Sequence, residues 1–190
     1  MRVVKELDQR KQEILEAAIK IFVQKGYDKT SISDIADEIG ISQGLCYRYF
    51  ASKEEIYDEA ISMYAEYIAQ QNMGRFLATG KSLKEHIEML CEDMEKYKEV
   101  EKGQAELYEL FHKEGNKKIH DLLCLKIADK LIPSVTRLLE EAVERGEIAL
   151  SDPYAMAVFV AYGQVGILNN DRISPQDKMV RIKQFLLQLL

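Results

Sequence analysis

The stretch from Thr30 to Lys53, TSISDIADEIGISQGLCYRYFASK, constrains this chain more than any other. Ile32, Ile35, Ala36 and Ile39 recur at the three-and-four spacing that gathers apolar side chains on one helical face. Ser31, with Asp34 three residues later, is a capping signal for the start of that helix, and Gly40 supplies the left-handed residue that stops it. Ile41 is an apolar plug. Ser42 caps a second helix expected over Gln43 to Phe50, with Cys46 and either Tyr49 or Phe50 inward and Gln43, Gly44, Tyr47 and Arg48 outward. Two short helices across a glycine turn form a helix-turn-helix, whose second helix fits a DNA major groove. Ser52 and Glu55 mark a third helix start, with Lys53 at its first position.

The rest of the chain predicts an all-α protein. Residues 8–25 form a first helix with Ile14, Ala18, Ile21 and Phe22 on one face, ended by Gly26, and Tyr27 packs the turn. These three helices make a head, residues 1–52, joined to a larger helical body, residues 53–190. The joining helix runs from Lys53 to about Leu77, with Ile56, Ala60, Ile61, Tyr64 and Ile68 inward. Met73–Ser82 is a break, followed by helices over 82–99, about 103–113 and 117–145. Pro133 should kink the last of these or mark a short break. Asp152-Pro153 and Ser174-Pro175 open the two final helices.

Tyr154–Leu168 is apolar almost all round, Gly163 and Gly166 permit close backbone approach, and the chain ends in FLLQLL. Such a helix is either the core of a monomer or needs cover from a second subunit. The second reading predicts a homodimer through Val158, Tyr162, Gly163, Gly166, Ile182, Phe185 and Leu186.

A net charge of −6 argues at first against a polyanionic partner, but it is unevenly placed: residues 1–53 carry +1 and the remainder −7. A nearly neutral head can bind DNA through local contacts, with little long-range steering. Cys46, Cys91 and Cys124 lie far apart without metal-ligand spacing, and the charged N-terminus lacks a signal-peptide core, so a cytoplasmic location is expected. Glu109-x-x-His112 has the spacing of a carboxylate-bridged metal site but no second copy, and is read as helix surface. No nucleophile elbow, phosphate loop or Cys-x-x-Cys occurs. Neither enzyme chemistry nor a metal or cofactor is expected.

The run T-S-I-x-x-I-A-x-x-x-G-I-S-x-G-x-x-Y-x-Y-F-x-S-K-E-E resembles the DNA-binding signature of the TetR family of bacterial transcriptional repressors. Cys46 stands where leucine is usual, and Leu45 where threonine is common. The resemblance implies a repressor that binds a palindromic operator as a homodimer and releases it on binding a small molecule. It places Tyr47 and Lys53, with Thr30 or Ser31, on phosphates, and Gln43, Leu45 and Arg48 at base edges, with Gly44 allowing close approach. Ser42 and Tyr49 complete the expected DNA surface. It also implies an effector pocket in the body, for which Met94, Tyr97, Tyr108, Phe111, Phe159 and Tyr162 are candidates, suited to an apolar or aromatic molecule. The competing reading is a protein-interaction adaptor whose head no longer binds DNA.

Overall fold

The computed structural model describes residues 2–76, 80–92, 111 and 116–188. Among these residues the chain is all-α: α1 Arg2–Lys25, α2 Ile32–Glu38, α3 Gln43–Cys46, α4 Lys53–Phe76, α5 Leu83–Glu92, α6 Lys117–Glu144, α7 Pro153–Leu168 and α8 Pro175–Leu187. No helix is long and apolar enough to cross a membrane among the described residues. The expected helix over 103–113 falls outside them apart from Phe111, as do Met94, Tyr97, Tyr108, Glu109 and His112.

The chain packs as two compact units, Met1–Tyr64 with Gln104–Leu123, and Ala65–Gly103 with Cys124–Leu190. In the first, Ile14, Ala18, Ile21 and Phe22 of α1, Ile35 and Ala36 of α2, Cys46 and Phe50, and Ile56, Ala60, Ile61 and Tyr64 of α4 are all buried. These are the positions that the helical spacing turned inward, and each large one contributes about 1.5–3 kcal/mol on leaving water. Phe50, not Tyr49, is the inward aromatic after α3. Phe111 is buried too, its ring parallel to that of Tyr64 with centroids 5.1 Å apart.

The second unit is built on Leu83 and Ile87 of α5, Ala128, Ile132, Leu139 and Ala142 of α6, Ile148, and Ala157 and Ala161 of α7. α8 packs against both α5 and α7. Serine and aspartate caps start the last two helices as the sequence signals: Asp152 accepts from the Ala155 N–H, and Ser174 from that of Asp177. Just after α6, the Glu147 carboxylate accepts from the Leu83 N–H at the first residue of α5, 2.6 Å away, and pairs with Arg145. Those two donors hold its carboxyl below the usual range.

Two expectations are corrected, and a third is narrowed: of the kink or short break expected at Pro133, the break does not occur, and α6 runs through it. The ring removes one N–H from the ladder, but the helix around it is held by the packing of Ala128, Ile132 and Leu139. Ile182, expected at a dimer face, is only 1 % exposed, while Val158 and Leu186 lean on the core of their own unit. Phe159, expected in an effector pocket, is 76 % exposed, and Tyr162 shares its outward face. A helix apolar on every side gives no sequence signal for which side meets the core.

Candidate nucleic-acid interface

The two helices of the motif are set by local chemistry. Ser31 begins α2 with a reciprocal capping box: its hydroxyl accepts from the Asp34 N–H, and the Asp34 carboxylate accepts from the Ser31 N–H at 2.8 Å. At the other end Gly40 takes φ +66°. Its N–H donates to the Asp37 carbonyl, and the Ile41 N–H donates to that of Ala36, 3.0 Å away, so the chain turns sharply and the orphan carbonyls of α2 are satisfied. Ser42 then caps α3, accepting from the Leu45 N–H.

α3 is shorter than the eight residues expected: only Gln43–Cys46 is regular helix. Beyond it the chain tightens, with the Arg48 N–H donating to Leu45 and the Tyr49 N–H to Cys46, which lets Phe50 reach the core. Gln43, Gly44, Tyr47 and Arg48 stay exposed, with Tyr47 at 52 %, while Leu45 and Tyr49 are half-buried. A side chain added at Gly44 would meet nothing within 4 Å, so nothing in the chain itself demands glycine there. Cys46 is fully buried, and burial pushes its thiol up, so it serves as a small apolar plug.

Two residues expected on DNA have partners within the head. Thr30 is 3 % exposed and its hydroxyl donates to the Gly26 carbonyl at 2.8 Å, so its side chain locks the α1–α2 turn from inside. The Lys53 ammonium donates to the Tyr27 and Thr30 carbonyls, both at 3.1 Å, and lies 4.2 Å from the centroid of the Tyr27 ring. Tyr27 itself stacks on Phe22, meets Tyr57 edge-on and donates its hydroxyl to Glu54. Partial burial, then that carboxylate, push the Tyr27 hydroxyl up to about 12. Neither role had a signature in the sequence, because both depend on where the turn's carbonyls point.

Four cations of the head are already paired. Lys11 pairs with Glu59, Lys20 with Glu38, Lys25 with Asp34 and Arg10 with Glu13. Lys29 and Arg48 have no ion-pair partner among the described residues. Arg48 is therefore the guanidinium that α3 and its following turn offer outward.

Residues 14–60 match the model of the bacterial regulatory proteins of the tetR family. The chain carries a TetR-family head. The TetR-family match spans α2, the turn and α3 together with the helices flanking them. The transcriptional repressor KstR2 of Mycobacterium tuberculosis is 39% identical over 67 residues, 35% of this chain and 34% of that protein. The chain thus spans about a third of the length of this curated relative. In fold the likeness runs along the chain: a structure from Mesorhizobium loti assigned to the TetR family covers 97% of this chain and 96% of its own, with TM-score 0.66 and 20% identity. RolR, solved with the ligand resorcinol, covers 98% of this chain and 90% of its own, with TM-score 0.65 and 16% identity.

Proposed function

We propose that this chain is a transcriptional repressor that binds a twofold-symmetric operator as a homodimer and leaves it when a small apolar molecule binds the helical body. The observation that carries the reading is the outward face of α3 and the turn after it, where Gln43, Gly44, Tyr47 and Arg48 stand clear of the core on a segment fixed by its cap and turn. Gln43 and Arg48 are the donors suited to base edges, and Leu45 meets them at the margin. Tyr47, with Ser31 and Ser42 at two helix starts, is placed for phosphates, which position without specifying.

Dimerisation rests on α7 and α8. Tyr154, Phe159, Tyr162, Val180 and Phe185 are exposed there, and Gly163 and Gly166 have open space around them. An apolar face with two backbone gaps is what a second copy would cover. The functional boundary falls at residues 52 and 53, where α4, Lys53–Phe76, begins. A neutral, aromatic effector is favoured by the resorcinol bound to RolR, a protein of the same fold. Coupling of about 1–3 kcal/mol would lower operator affinity roughly 5- to 150-fold.

Selection of duplexes from a random library by the purified full chain tests this. Enrichment of an inverted repeat with half-sites in successive major grooves is expected. Recovery of no sequence preference would overturn the reading.

A further inference from the structure

We propose that Leu45 reads sequence through apolar contact alone, and that its partner in each half-site of the operator is the 5-methyl group of a thymine. The inference rests on the operator-binding reading above and deepens it by naming what one position of that operator must carry.

The backbone polar groups of residue 45 are spent inside the chain. Its N–H lies 2.9 Å from the Ser42 carbonyl and 3.3 Å from the Ser42 hydroxyl, as part of the cap of α3. Its carbonyl accepts from the Arg48 N–H at 3.1 Å. The side chain has neither donor nor acceptor. Leu45 therefore has only apolar surface to offer a ligand.

That surface is not consumed by the core. Cys46 and Phe50 are the buried residues of this segment, and Leu45 stays half-buried beside them. The bond from the Arg48 N–H spans three residues, which sets Arg48 over Leu45 on one side of the segment. Gly44, its other neighbour, carries no side chain, and open space surrounds the point where one would begin. Leu45 thus stands between Gln43, whose amide suits adenine, and Arg48, whose guanidinium suits guanine.

Base edges in the major groove differ in their donors and acceptors and in one apolar feature, the thymine methyl. A leucine set against a donor or acceptor strips its water and returns no hydrogen bond. Against the methyl it removes apolar surface from water on both partners. Burying one group of that size is worth about fourfold in affinity.

The test takes the duplex most enriched by the full wild-type chain and replaces its thymines one at a time by deoxyuridine. That exchange removes the methyl and leaves every hydrogen-bonding group in place. For the wild type, one position in each half-site should lose about fourfold. Leu45→Ala should bind the thymine and uracil duplexes equally at that position, whereas Leu45→Met should keep the preference. Leu45→Gln keeps the length of the side chain but makes its tip polar, and should also lose the preference if the smaller variant fails to fold. A structural role alone would weaken both duplexes and leave their ratio as in the wild type, and that result overturns the proposal. A wild type that enriches an operator yet is indifferent to every uracil overturns this inference and leaves the operator reading standing. If the wild type enriches no sequence, both fall together.

Discussion

The Lys25 ammonium at the end of α1 stands 2.7 Å from the Asp34 carboxylate in the first turn of α2. Lys25, then the Ser31 hydroxyl and N–H, hold the Asp34 carboxyl well below the ordinary carboxylate range. A group whose folded pKa is depressed stabilises the fold above its unfolded value, near 3.9, and loses that contribution as pH falls towards the folded value. Wild type should therefore be more stable than Asp34→Asn at neutral pH, and the gap should narrow as pH drops from neutrality into the acid range. Denaturant titrations at several pH values measure it; a gap that widens in acid would refute the assignment.

Gly40 and Gly44 lie four residues apart and should respond oppositely. Gly40 has positive φ, so Gly40→Ala forces a side chain into the left-handed region and should cost about 1–2 kcal/mol in equilibrium unfolding. Gly44→Ala meets open space and should leave stability near wild type, yet weaken duplex binding because the added methyl stands on the reading face.

Gln43→Ala and Arg48→Ala remove exposed donors from α3 and the turn that follows it. Each should relax preference at one base pair by on the order of 1–3 kcal/mol. Competition binding against single-position operator variants reads this out. Equal losses on operator and random DNA would assign both side chains to the phosphates instead.

Phe159→Glu places a charge on an exposed apolar position and should leave the helix content of the chain intact. The wild type should sediment as a dimer at micromolar concentration and the variant as a monomer. Ile182→Ala, by contrast, removes a core side chain and should cost about 2–5 kcal/mol whatever the oligomeric state. A monomeric wild type would remove α7 and α8 from the assembly.

Local signals in the sequence located the motif well. The Ser31–Asp34 box, the Gly40 turn and the Ser42 cap each depend on residues within a few positions of one another, and all three stand where the pattern put them. The inward faces of α1 and α4 were legible for the same reason, since apolar spacing encodes them directly. What escaped was set by distant partners. The seat of Lys53 needs two carbonyls from more than twenty residues away, and the sequence carries no mark of a carbonyl's direction. Phe159 was misplaced because α7 is apolar on nearly every side, and Ile182 because the few apolar positions of α8, set among Arg181, Lys183 and Gln184, divide between a core and an exposed face without a mark in residue type.

The Glu147 carboxylate on the Leu83 N–H joins positions 64 residues apart in sequence. The chain thus departs from and returns to one hydrogen bond, which closes a loop of that length. Closing a ring of that size costs entropy only once, and the logarithmic dependence on length makes additions within it cheap. Ile87, Ala128, Ile132 and Leu139 inside that loop are held by the core they form, so additions are cheap only between the helices, where length changes and the framework does not.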